Sequence, residues 1–411
     1  MAKPVIMFVK KVVNNVIRGA MKKTPVLLEH VWFVSPRRSR FSSWYQDTVT
    51  AQDWFVEAAS AQEMLAVQPK WKGNKKVTYS GVSVLSKAKL LMCRPPEIHQ
   101  RHPASRKAIV CTRHYRPLKY PGAQSVLFSL NFMLTHFGIW RNGKKMEHLS
   151  ATVALLGNRV FDNINYYHFW ADVIADVWYI KNNLPRSEWP DYYLVPFAEL
   201  AWQWEVLWQC GVREEQVIPY AKYDVLFVEK VVIPIRDKGA ANLPPWLSRA
   251  IHDMSGWSPR SGGNGRLVFV SRADASRRRL VNEDRLRERL RQEGFEVHAL
   301  TGLSIKEQQH LFSSASIICA PHGASLTNLV WCCPGTVVID FLSERHLVPC
   351  FKELAEQNQV IYYPYVCRAA AEDEGGINDD MVLLDGQIES VVEVVSRHVG
   401  TSGHALDIRK G

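Results

Sequence analysis

The chain is short of the features that would assign it quickly. Its eight cysteines, Cys93, Cys111, Cys210, Cys319, Cys332, Cys333, Cys350 and Cys367, form no Cys-x-x-Cys pair and keep no regular spacing. That argues against the common zinc frameworks and against a disulfide-stapled secreted domain. Several lie in apolar runs, where a free thiol behaves as a small buried hydrophobe, so they read as reduced and the chain as cytoplasmic. No Gly-x-Gly-x-x-Gly follows a strand pattern, which removes the usual signature of a dinucleotide-dependent oxidoreductase. No Asp-x-Asp stands at a strand end: Asp274 and Asp284 are isolated, and Asp379-Asp380 lies in an acidic stretch near the C-terminus. A secretory leader is not expected, since Lys10-Lys11 interrupts the short apolar run after Met1. The uncharged stretch 313–339 has the length of a membrane span, but Pro321, Gly323, Pro334 and Gly335 break it. Neither an internal repeat nor a coiled coil is visible.

What is present is a soluble-type composition, 47% hydrophobic and 22% charged, with a net charge of +11. The charge favours anionic partners: nucleotide phosphates, acidic glycans, anionic lipid head groups or nucleic acid. It selects none of them. At 411 residues there is room for two or three domains. Residues 1–95 form a basic accessory region of little pattern. Within it, residues 5–17 fit either a basic surface helix capping the fold or one lying on an anionic membrane face. The runs 36–40 and 70–76 are basic loops, and Pro-rich segments at 94–97 and 101–104 mark a boundary.

From 96 to 256 strands and helices alternate. Strands are expected at 108–111, 150–156, 192–195, 222–228 and 230–234, with helices at 167–181 and 198–210. The polar, Gly-rich stretch 257–265 reads as a linker. From 266 to 400 the alternation is cleaner: strands at 267–270, 295–299, 316–320 and 336–341, and a short one at 361. Helices are expected at 282–294, 304–315, 324–331, 348–357 and 387–398. Serial βα units of this kind predict an α/β fold with doubly wound, Rossmann-like sheets.

The centre of the second half is Ala320-Pro-His-Gly-Ala-Ser-Leu-Thr-Asn-Leu-Val-Trp331, a loop between two apolar runs. Upstream stands Arg266-Leu-Val-Phe-Val-Ser-Arg272, then Arg277-Arg-Arg279 and Asn282-Glu283. Further back is Asn165-Tyr-Tyr-His168, with Asp172 four residues on. Ser271-Arg272, Arg278 before Asn282-Glu283, and His322-Gly323-Ala324 with Leu326 together resemble glycosyltransferase family 61 over roughly residues 161–341. Ser325 stands where many relatives carry glycine. The resemblance implies a GT-B architecture, two Rossmann-like domains facing a cleft. It also implies an inverting transferase with a UDP-sugar donor. A bacterial member of this kind would act on a capsular or surface polysaccharide or a lipid-linked precursor. A non-enzymatic basic protein that binds nucleic acid or anionic membrane would account for the charge but not for the linked motifs. No nucleic-acid partner is expected, while peripheral contact with an anionic membrane at the inner face of the cell membrane stays open.

A leaving nucleoside diphosphate gains charge as the sugar departs, and either a divalent metal or fixed cations and N–H dipoles must meet it. Without a strand-end carboxylate pair, the arginine version fits better, so neither metal nor cofactor is expected. Arg272 and Arg278 are the expected diphosphate ligands, since guanidinium pairs its donors with phosphate oxygens. Arg277 and Arg279 are expected to stay peripheral, and the acidic stretch 372–380 is given no chemistry. His322 and the N–H groups of Gly323 and Ala324 would face the same diphosphate, with Thr327 and Asn328 as further donors. The resemblance adds Asn282. Asp340, expected at the end of its strand, stands where such folds hold the ribose with a carboxylate; a capping role is the alternative. Inversion also needs a base for the acceptor hydroxyl. His168, Asp172 and Asp176 share one helical face, opposite Phe169, Trp170, Val173, Ile174, Val177 and Trp178. Either His168 oriented by Asp172, or Asp172 itself, is the candidate base.

Overall fold

The computed structural model describes residues 42–46, 81–93, 106–111, 145–158, 165–196, 199–235, 243–258, 265–370 and 378–407. The features expected at 5–17, 36–40, 70–76, 94–97 and 101–104, and most of the linker and acidic loop, lie outside these residues. The chain divides into two compact units. One holds the described residues up to Ile235, the other those from Leu243 onward.

The first unit is built on a seven-stranded mixed sheet. Its strands are β1 (Ser42–Gln46), β2 (Gly81–Cys93), β3 (Lys107–Cys111), β4 (Met146–Leu155), β5 (Tyr192–Val195), β6 (Val217–Pro219) and β7 (Val225–Ile235). β7, β4, β5 and β6 are parallel neighbours, while β2 joins β7 antiparallel and carries β1 and β3. This corrects two expectations. Part of the supposed accessory region, β2, is a core strand whose Val82, Leu85, Leu90 and Leu91 are buried. The runs at 222–228 and 230–234 form one strand, with the charged Glu229-Lys230 pair at its less buried middle. Two helices matter here. α1 begins as a short α-helical turn (Tyr166–His168), passes through a π-helical segment (Phe169–Ile174) and resumes as an α-helix (Ala175–Asn183). α2 spans Ala201–Gln209.

The second unit holds β8 (Arg266–Val270), β9 (Glu296–His298), β10 (Ala315–Pro321), β11 (Val337–Ser343), β12 (Ile361–Ala369) and β13 (Met381–Val382). Their order is β13-β12-β11-β10-β8-β9, parallel except for β13 at the edge. Taken from β8, the parallel strands run 2-1-3-4-5, a doubly wound order whose direction switches between β8 and β10. β11 is buried at every position and β10 at all but one, as expected of strands covered on both faces. Helices α3 (Leu247–Ser255), α4 (Glu283–Gln292), α5 (Ile305–Ser314), α6 (Cys350–Gln357) and α7 (Asp385–Asp407) connect or cover them. α5 starts on a capping box, with Ser304 and Glu307 each accepting from the other's N–H.

The sequence boundary at 257–265 does not separate the units. α3, placed before it, packs inside the second unit: Leu243 N–H donates to Glu353, Ser248 N–H to Gln357, and His252 Nε2 meets Val330 O at 2.7 Å. A Gly-rich stretch marks a loop, but contacts decide which body a helix joins. Cys111, Cys210, Cys319, Cys332, Cys350 and Cys367 are buried free thiols. Burial pushes them up, Cys111 to about 12. Among the described residues no helix is long and apolar enough to cross a membrane.

Candidate functional site

In a doubly wound sheet the loops beyond the carboxyl ends of the strands at the switch point form a crevice. Here those loops are the one after β8 and the one after β10. The first carries Arg272 and the second carries His322 and Gly323, so strand order alone brings together segments fifty residues apart.

Gly323 lies against the Arg272 guanidinium. A Cβ added at 323 would stand 2.0 Å from Arg272 Nη1 and 2.7 Å from its Cζ. The Gly323 backbone is fully extended, at φ 174° and ψ 179°, so the glycine answers a close approach, not a turn. Arg272 donates through Nη2 to Arg277 O at 3.3 Å, and its buried Nε has no partner. Burial, then the charge of Arg277, lowers its pKa, against the pull of Asp274, Asp340 and Asp380. Guanidinium starts so high that it remains a cation. A desolvated cation without a bonded carboxylate is costly unless an anion meets it.

Glu283 holds this loop in place. Buried at the start of α4, it accepts from Ser271 Oγ and from Arg272 N–H (3.3 Å). Asn282 is spent differently from its expected donor-binding role. Its Nδ2 donates to Leu383 O (2.7 Å) and its Oδ1 accepts from Leu383 N–H (3.1 Å), which clips α4 to the segment after β13. Arg278 sits at φ +52°, a left-handed conformation uncommon for a non-glycine residue. Its neighbours are engaged to either side: Arg277 Nη1 donates to Asn378, and Arg279 pairs with Asp380 at 2.7 Å. Asp379 pairs with Arg345. The acidic stretch, given no chemistry from sequence, therefore holds Arg277 and Arg279 on either side of Arg278. Burial alone would raise the Asp380 pKa, but hydrogen bonds from the Arg279 side chain and backbone pull it below the ordinary carboxylate value.

The helix after Gly323 is a 3-10 helix, Ala324–Trp331. Thr327 is buried and its Oγ1 has no partner, like Ser325 Oγ. Asn328, expected as a donor ligand, faces inward instead. It donates to Gln308 Oε1 (2.9 Å) and Ser325 O (3.1 Å), and accepts from Trp331 Nε1 (3.0 Å). Asp340 does not end its strand, which continues to Ser343. It has no exposure, and its Oδ2 meets His322 Nδ1 at 2.8 Å and Tyr362 Oη at 2.6 Å. Its Oδ1 is buried without a partner. Four polar atoms without a partner, Arg272 Nε, Ser325 Oγ, Thr327 Oγ1 and Asp340 Oδ1, lie on β11 and on the segments after β8 and β10, and are groups that a ligand could satisfy.

In the first unit, Asn165 caps α1 by accepting from His168 N–H at 3.2 Å. His168 Nδ1 and Asp172 Oδ2 are 2.8 Å apart. The His168 side chain is 32% exposed and that of Asp172 only 7%, so the imidazole is the reachable partner. The helix is not amphipathic as expected. Asp176, on the supposed polar face, is 1% exposed and accepts from Gly157 N–H at 2.9 Å. Gly157, at φ +57°, leaves no room for a side chain against Pro196 and Val173. Asp176 is a clamp within the core, and the π-helical turn that starts after His168 is a form often found at functional sites. Tyr166 and Phe169 pack on Trp202 of α2, fixing the start of α1.

Tyr362 and the bracing by Glu283 and Asp380 went unassigned in the sequence. Asn282-Glu283 was a visible pattern, but its role needs the Leu383 backbone beside it. Among the described residues, no three His, Cys, Asp or Glu side chains gather in a way that could hold a metal ion.

Residues 166–339 match the family model described as Glycosyltransferase 61. No curated protein matches the chain. The matched segment opens on the first residue of α1 and closes one residue before Asp340, so it spans the His168–Asp172 pair, both arginines and the His-Gly-Ala loop. Over this segment the chain is similar to glycosyltransferase family 61, and it is a glycosyltransferase, an enzyme that takes a sugar donor and a glycan acceptor.

Proposed function

We propose that the chain is an inverting, metal-independent glycosyltransferase that moves a sugar from a UDP-sugar to a hydroxyl of a glycan or lipid-linked glycan in surface polysaccharide synthesis. The observation that carries this reading is Arg272, a desolvated cation lodged against Gly323 at the switch point of the second unit's sheet. Arg272, Arg278 and the N–H groups that open the 3-10 helix meet the diphosphate. As the bond from the sugar's anomeric carbon to the diphosphate oxygen breaks, these donors take the growing charge without a metal. The acceptor oxygen attacks the opposite face of that carbon. Its proton passes to His168, which Asp172 orients and whose positive charge it stabilises. A single displacement inverts the anomeric centre. The GT-B description belongs to this proposal, with the first unit on the acceptor side and the second holding the donor. So does a cytoplasmic enzyme working at the inner face of the cell membrane.

The test is a thermal-shift screen of nucleotides and nucleotide sugars in EDTA. A ligand at 100 times its Kd adds ~2.7 kcal/mol. For a unit of 150–250 residues that raises Tm by roughly 5–10 °C. UDP and one UDP-sugar are expected to give this shift in EDTA. A shift by another nucleotide class alone, or one that needs manganese, overturns the reading.

A further inference from the structure

His322 is placed by two residues rather than one. Asp340 on β11 meets its Nδ1 at 2.8 Å, and Tyr362 on β12 reaches the same carboxylate oxygen at 2.6 Å. Both members of the His–Asp pair are sealed, at 2% and 0% exposed. Burial, then the Asp340 charge, pushes the Tyr362 phenol well above its ordinary pKa, so it keeps its proton and donates. A carboxylate oxygen only accepts, so His322 must also bring a hydrogen on Nδ1. The remaining ring atom, Nε2, is then the one available to a ligand. Around the pair stand His346 and Phe351, whose rings flank the imidazole at 5.6 and 5.0 Å, the Arg272 guanidinium, on which the Asp340 charge acts, and the Cys350 and Cys367 thiols, which burial and then Asp340 keep protonated.

The carboxylate has two oxygens and one rotatable bond that exchanges them. Without a second donor, Asp340 could turn either oxygen to His322 and the ring would be held less firmly. With Tyr362 bonded, Oδ2 is fixed as the shared acceptor. We propose that Tyr362 is a positioning residue of the donor site: it pins Asp340, which holds His322 with Nδ1–H inward and Nε2 toward the diphosphate. This rests on the diphosphate reading above. A phosphate oxygen only accepts, so Nε2 meets the diphosphate as a donor.

Two measurements test this. The first is ligand-free: ¹⁵N spectra of the full chain read the His322 tautomer. Hydrogen on Nδ1 is expected in the native protein and its loss as the fixed tautomer in Asp340→Ala, which removes the acceptor. A native ring with a bare Nδ1 overturns the proposal, whatever the ligand. The second is UDP affinity by calorimetry in a double-mutant cycle. Tyr362→Phe is expected to weaken UDP about five-fold, the effect of one ordinary hydrogen bond, with the melting transition retained. In His322→Gln the same substitution is expected to change nothing, because Tyr362 acts through the ring. Equal losses in both backgrounds overturn the proposal. If native protein with the expected tautomer binds no UDP, the nucleotide reading fails while the placement of His322 stands.

Discussion

Gly323→Ala is the most telling single substitution. The new methyl carbon would sit 2.0 Å from Arg272 Nη1, 2.7 Å from Cζ and 3.3 Å from Nε. The first two distances are inside contact, and the extended backbone at 323 raises no objection of its own to alanine. The guanidinium must therefore leave its seat. Because it is the far end of a flexible side chain, the cost to the fold is small. The cost to an anion site is larger. Losing one charge-assisted contact costs ~1.5–3 kcal/mol, which is roughly 10- to 150-fold in UDP affinity. Calorimetric titration with UDP measures it, and a melting curve checks the fold. The control is Arg272→Ala, which should weaken UDP to a similar degree. In that background Gly323→Ala should add nothing, since the clash has gone. Full UDP affinity in folded Gly323→Ala, or additive losses in the double variant, would refute the argument that this glycine exists to seat Arg272 at the diphosphate.

Arg278→Gly separates binding from stability. Glycine relieves the left-handed φ of +52°, so stability should hold or rise by at most about 1 kcal/mol, while UDP binding weakens by ~1.5–3 kcal/mol. Unchanged UDP affinity removes Arg278 from the site. His168→Ala is expected to bind UDP normally and to lose at least ~100-fold in turnover; near-normal turnover in both His168→Ala and Asp172→Asn places the base elsewhere. Asp380 has its pKa depressed in the folded chain, so its contribution is present above the unfolded value of ~3.9 and is lost as pH falls through the lower folded value. Asp380→Asn should accordingly lower Tm by a constant amount above about pH 5, and the gap should close under more acid conditions. A gap that persists at pH 2 points to a cause other than the ion pair with Arg279.

Local sequence determined a good deal of this molecule. Short apolar runs bounded by turns place β5, β8, β10 and β11 to within a few residues, because strands buried on both faces leave that signature in the chain itself. Asn165 and Ser304 mark helix starts, since a cap acts on N–H groups two or three residues away. The His168–Asp172 spacing of four predicts their meeting for the same local reason. What the sequence could not carry is pairing between distant segments. Only strand order sets Arg272 against Gly323, and only the parallel neighbours β11 and β12 bring Tyr362 to Asp340. Asn282 and Asn328 look like ligands in one dimension, but their amides are used up by Leu383, Gln308 and Trp331, partners that no spacing rule reveals. Asp176 looked like a member of a polar face until the fold buried it on Gly157. Local structure follows from hydrogen bonds and periodicity within a few residues. The role of a polar side chain depends on which remote group satisfies it, and tertiary packing makes that choice.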